Sequence, residues 1–170
     1  MPATIPMLRR LVETSECGSA PLTAFAVTPG LREWYLDDDI ESLEYAAMLE
    51  AARASLRLIA ADPAAVPRRV VVAAELPDAV VAARDDLGLG VVHVADPVSL
   101  RQVVSVHVDD DDAEPAVRAA TAVIDAADLG DRDASDTLDD TEAFELAWYA
   151  SQEIAALLGS LTASGEPSTG

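Results

Sequence analysis

A chain of 170 residues has the length of about one domain, and its formal net charge of −20, from 31 acids against eleven arginines, speaks against nucleic acid and anionic membrane as partners. Both need clustered basic side chains to neutralise phosphate. Apolar residues make up 51% of the chain and aromatics only 4%, so a sizeable core is available and must be built from Ala, Val, Leu and Ile.

Every basic side chain is Arg, and neither Lys nor Asn occurs. Both are encoded by A-rich codons, so a GC-rich genome accounts for part of the Ala and Asp content. The remaining acidity suits a basic protein partner, a divalent cation or solubility alone. The single Cys17 rules out an internal disulfide. With no signal-like leader and no apolar run of about 20 residues, a cytoplasmic location is expected.

In chain order, Thr4 to Glu13 predicts a short helix capped by Thr4, and Glu16 to Pro21 a loop. Leu22 to Val27 is an apolar run that predicts a strand buried on both faces, ended by the turn signal Pro29-Gly30. Leu31 to Leu36 predicts a short helix halted by Asp37, Asp38 and Asp39. Asp39 then caps a long helix over about Ile40 to Ala60. Ile40, Leu43, Ala47, Ala51, Ala54 and Leu58 form one stripe of that helix, and Glu50, Arg53 and Arg57 form its only polar strip. Arg69 to Glu75 predicts a second buried strand, and strand, helix, strand predicts a parallel right-handed crossover.

Pro77 to Leu89 fits a short helix or a loop. Val91 to Ala95 and Val103 to Val108 predict a third and a fourth strand, taken as an antiparallel hairpin with Ala95 opposite Gln102 where their register is needed. Glu114 to about Ala127 predicts a helix, Asp128 to Asp140 an acidic loop, and Thr141 to Leu158 a last helix with Phe144, Trp148, Ser151, Ala155 and Leu158 inward and Gly159 as its stop. The composition of 159–170 predicts a disordered tail after a single domain over 1–158. Charge is uneven: 16 of the 31 acids and only two of the eleven arginines fall in 109–170. These elements predict one α/β domain, with a mixed four- to five-stranded sheet, a long central helix and two C-terminal helices. A ferredoxin-like α+β arrangement is the alternative.

The candidate sites are few. Asp131 to Glu142 sets oxygens at the spacing of a calcium-binding loop: Asp131, Asp133, Ser135, Asp139 and Glu142, with the Thr137 carbonyl between. Asp136 stands where that loop needs Gly, and a solvated acidic linker is the competing reading. The run Asp109 to Asp112, beside His107, could hold Mg²⁺, or serve only as a helix N-terminal acid cluster. The hairpin register puts His93 and His107 on opposite sides, against a joint metal site. Cys17 has no predicted basic neighbour, Gly88-Leu-Gly90 lacks the third glycine of a dinucleotide fingerprint, and no P-loop, GxSxG or HExxH motif occurs. Arg32, Trp34 and Tyr35, with Trp148 and Tyr149, remain as partner-binding candidates; as core wedges between helices they would be purely structural. The expected function is a small acidic non-enzymatic interaction or regulatory protein. The alternative is a protein, even an enzyme, that uses Ca or Mg at 109–112 or 131–142.

The segments LTAFAVTPGLREWY from Leu22, LEYAAMLEAARASLRLIA from Leu43, RRVVVAAELPD from Arg68 and WYASQEI from Trp148 together resemble an uncharacterised family, a domain of unknown function of high-GC Gram-positive bacteria. The resemblance brings no activity and no catalytic residue. It does imply a few residues forming a strand before Pro2 to Thr4, and hence a strand edge left open if that strand is missing.

Overall fold

A computed structural model of the chain describes residues 1–18, 20–35 and 39–164. Leu36, the expected end of the short helix, Asp37 and Asp38 of its expected acidic stop, and the tail residues 165–170 lie outside the described residues. The elements, in order, are β1 (Pro2–Ala3), α1 (Ile5–Thr14), β2 (Glu16–Cys17), β3 (Leu22–Phe25), α2 (Pro29–Tyr35), α3 (Ile40–Ala61), β4 (Val70–Ala74), β5 (Val81–Ala83), β6 (Val91–Val94), β7 (Val98–Ser99), β8 (Val103–Val108), α4 (Glu114–Asp128), α5 (Arg132–Asp139), β9 (Ala147–Ala150) and α6 (Ile154–Ser164).

The strands form a four-stranded sheet in the order β1-β4-β8-β9, a three-stranded sheet β3-β6-β5, and the pair β2-β7. Each of these pairings is antiparallel. The mixed α and β character and a four-stranded sheet are therefore present, but the parallel crossover is not. β3 and β4 belong to different sheets, with α3 between them in sequence. The expected hairpin is also absent, because β6 pairs with β3 and β5 while β8 pairs with β4 and β9. A run of valines fixes that a segment is a strand; it does not choose among several equally apolar partners.

Helix starts follow local chemistry. The Thr4 side chain accepts from the Met7 N–H, and Asp39 accepts from Glu41 N–H. Thr28 accepts from Leu31 N–H, so Pro29 opens α2 at the position where a missing N–H costs nothing, rather than serving as a turn.

α3 is covered by different partners along its length. Leu43 and Ala47 meet Leu31 of α2, Ala51 and Ala52 meet Val71 of β4, and Leu56 and Ile59 meet Val117, Ala120 and Ile124 of α4. The buried face thus rotates along the helix. Ile40, at the head of the expected stripe, is 42% exposed, and Ser55 is buried instead. Ser55 Oγ donates to the Ala3 carbonyl at 2.7 Å and accepts from Val70 N–H at 3.1 Å, joining the helix to β1 and β4. The other face of the four-stranded sheet, through Val70, Val72, Val106 and Val108, belongs to a core shared with Leu8 and Leu11 of α1 and Ile154 and Leu157 of α6.

Three expectations at the C-terminal end are corrected. Arg132–Asp139 is a helix, not an acidic loop, started by the Asp131 carboxylate on Ala134 N–H at 3.0 Å. The expected helix Thr141–Leu158 is interrupted by β9, where Trp and Tyr favour an extended edge and alternate across the sheet. Tyr149 turns to the core shared with α1 and α6, and Trp148 stays 59% exposed. Gly159 does not stop α6, which continues to Ser164.

Candidate functional site

A groove of about 790 Å³ lies between α3 and the two larger sheets. Its walls are apolar: Ala47, Met48 and Ala51 from α3, and Val92 and Val94 from β6. The exposed carboxylates Glu44, Glu75 and Asp78 line it, with Tyr45 on α3 and Val104 on β8. His107 reaches it from β8, its Nε2 3.5 Å from Ser105 Oγ. Burial lowers the His107 pKa from its ordinary value, and the Met1 ammonium adds to the effect. Met1 also lines the groove; its ammonium donates to the Val72 carbonyl at 2.7 Å, and burial holds its pKa at about 5. Such a site is an apolar trough with acids in its lining; the hydroxyl beside His107, that of Ser105, is buried and does not line it.

Most other charged residues singled out by the sequence are committed to structure. Asp109 is buried against Arg69, which donates to it from its backbone N–H, Nε and Nη2 at 2.7–2.8 Å. Asp111 and Glu114 receive the Arg68 guanidinium. Arg53 pairs with Asp139 at 2.5 Å, and Arg57 holds Asp128 through two bonds that lower the Asp128 pKa. The polar strip of α3 therefore docks the acidic α4–α5 region. Asp131 serves as a helix cap, and Asp133 and Ser135 lie within α5. Among the described residues, no group of three or more His, Cys, Asp or Glu side chains is placed to hold a metal ion.

His93 sits on β6 beside Arg84 Nη1 at 3.2 Å, and His107 in the other sheet; the strands separate the two histidines for a reason other than the expected register. Cys17 is buried on β2, where burial raises its thiol pKa. Arg32, Glu33, Trp34 and Tyr35 are all exposed on α2, Trp34 at 70%. Trp148 is exposed on β9 across from His107, whereas Tyr149 is half-buried on the other face, so those two neighbours do not share a surface.

A family model matches residues 1–158. The chain belongs to DUF6912, a family of unknown function. No curated protein and no solved structure matches this DUF6912 chain. Among its described residues no helix is long and apolar enough to cross a membrane. The groove was missed by sequence reading because its residues come from separate segments that look like ordinary core strands. Its one advance signal was Tyr45, an aromatic beside Glu44 on the helix flank away from the predicted stripe.

Proposed function

We propose that this protein is a non-enzymatic interaction module that holds a partner polypeptide in the groove beneath α3. The observation that carries the reading is the groove itself: about 790 Å³ of open space with apolar walls and with Glu44, Glu75 and Asp78 in its lining. Apolar walls supply affinity, and the carboxylates select a basic partner and repel an acidic one. Arg32, Trp34 and Tyr35 on α2 and Trp148 on β9 are exposed outside the groove lining and are further contact candidates, aromatics and Arg being the residues that dominate binding energy. A cytoplasmic setting in a GC-rich host belongs to the same proposal, supported by the lone buried Cys17 and the all-Arg basic set.

The test is capture of partners from a host lysate by the wild type and by a Val104→Arg/Glu75→Arg variant. Both residues are exposed in the groove lining, so the fold tolerates the change. A basic protein retained by the wild type and lost from the variant is the expected result. The same proteins retained at the same level by both would sink the proposal.

A further inference from the structure

We propose that the outer edge of β9 is a docking strand for a partner polypeptide: it takes one short extended segment, antiparallel to itself, with a basic side chain over Trp148 and an apolar side chain on each side of that residue. Trp148 lies outside the groove lining, so this surface stands apart from the groove. Strand addition to an open sheet edge is a general mode of peptide recognition.

β9 is the last strand of the four-stranded sheet and pairs only with β8. In an antiparallel ladder successive residues turn their N–H and C=O to opposite sides of the strand. Asp109 N–H donates to the Arg69 carbonyl, and the register runs unbroken from Val70 opposite Val108 to Ala73 opposite Ser105. β8 therefore bonds to β4 through Asp109, His107 and Ser105. Val106 and Val108 turn the other way, to Tyr149 and Ala147 of β9. Trp148 lies between those two and turns its N–H and C=O away from the sheet. The Ala150 N–H, two residues on and so on the same side, donates to Glu153 Oε2 at 2.8 Å and not to β8. Among the described residues no group bonds the Trp148 N–H or C=O.

Proteins blunt the open edges of their sheets, and the Glu153 carboxylate blunts this one at Ala150. Trp148 is the position left open, so the occupant is short: one residue that exchanges two backbone bonds with Trp148, and its immediate neighbours. The side chain of that residue falls on the face of Trp148, next in the row Val71, His107, Trp148. The indole is 59% exposed there, and a cation over its ring is attracted by the π face. Exposed Glu145, two residues before β9, and exposed Glu153 after it favour the same sign. A second copy of the chain, with a net charge of −20, is the wrong partner for this edge. The two neighbouring side chains point to the opposite face, beside Ala147 and beside Tyr149, which packs on the core shared with α1 and α6. That face makes them apolar.

The experiment is amide-resolved NMR on the full chain. In the free protein the Trp148 amide is expected to exchange at least about tenfold faster than the Tyr149 amide, which bonds to β8. A protected Trp148 amide means that a second copy or residues 165–170 already hold the edge, and overturns the proposal. Acetyl-Arg-Val-Arg-Val-Arg-amide is expected to shift the Trp148 indole and the amides of Ala147 to Ala150, and to slow Trp148 exchange about tenfold. N-methylation of its central Arg, whose N–H faces Trp148, is expected to abolish binding. N-methylation of its second Val, whose N–H faces away, is expected to change the affinity by less than about threefold. Equal effects of the two methyl groups overturn the strand mode. The counterpart with Glu for every Arg is expected to bind about tenfold more weakly, and Trp148→Thr, which keeps a strand-forming residue, to weaken the basic peptide about fivefold. Unchanged affinity in either case overturns the placing of a cation over Trp148. No shift of the β9 amides at millimolar peptide overturns the proposal outright, whatever the groove retains from a lysate.

Discussion

Asp109→Ala is expected to be the most damaging single substitution of a charged residue. Asp109 directly follows β8 and accepts three hydrogen bonds from Arg69, one from the backbone N–H and two from the guanidinium, with neither side chain more than 2% exposed. Arg69 Nη2 also donates to the Phe144 carbonyl at 2.7 Å, so the pair ties β4 and β8 to the segment that leads into β9. Removing the carboxylate leaves a guanidinium enclosed, with one carbonyl for its donors. Loss of one partner from a buried ion pair costs about 3–5 kcal/mol. At about 2–4 °C per kcal/mol for a chain of this size, Tm falls by about 6–20 °C. The double replacement Arg69→Met/Asp109→Ala removes the stranded charge and is expected to cost much less than the two single changes summed, with about 1 kcal/mol remaining for the orphaned Arg69 N–H. Urea unfolding followed by circular dichroism measures all four members of the cycle. If Asp109→Ala costs less than about 1 kcal/mol, or if the single changes simply add, the pair does not hold the sheet as argued.

Ser55→Ala breaks the bridge to Ala3 and Val70 and is expected to cost about 1–3 kcal/mol in the same assay. Trp34→Ala and Trp148→Ala, both exposed, should each change stability by less than about 0.5 kcal/mol while weakening capture of the lysate partner; a large loss of stability would make them structural. Stability of the chain with a free Met1 ammonium should rise with pH between about 5 and 8. Burial lowers the folded-state pKa to about 5 from 8.0, so across that window the unfolded chain binds more protons and unfolding is disfavoured as pH rises. His107, lowered by burial, acts in the same direction, and a His107→Gln background isolates the terminus. A flat profile in that background refutes the burial of the ammonium. Millimolar Ca²⁺ or Mg²⁺ should leave Tm unmoved, and a rise of several degrees would revive the Asp131–Glu142 site.

Much of the secondary structure was legible because it rests on local chemistry. Thr4 and Asp39 mark helix starts, since a short oxygen-bearing side chain satisfies a free N–H wherever the fold places it. The valine runs at 70–74, 91–94 and 103–108 became strands as expected. Where local signals were ambiguous, the surroundings decided. Asp131 to Asp139 read as a loop from its acids, yet Arg53 and Arg57 of α3 pair with Asp139 and Asp128 and anchor the helices there. Trp148 to Ser151 fits a helical stripe in isolation, yet the free edge of β8 draws Ala147 to Ala150 into a strand. Apart from the signal at Tyr45, the groove was not legible, because Ala24 to Val27 and Val71 to Leu76 become neighbours only through long-range packing.

The sequence by itself determined the acidity, the Ala- and Val-built core, the long α3 and most strand positions, all of which follow from composition and near-neighbour chemistry. The tertiary structure decided which strands pair and in what sense. Pairing energy among valine-rich strands is nearly degenerate, and the choice among them is made by what α3 covers. α3 packs in turn on α2, β4 and α4, and the groove lies beside it, lined also by residues of β3 and β4.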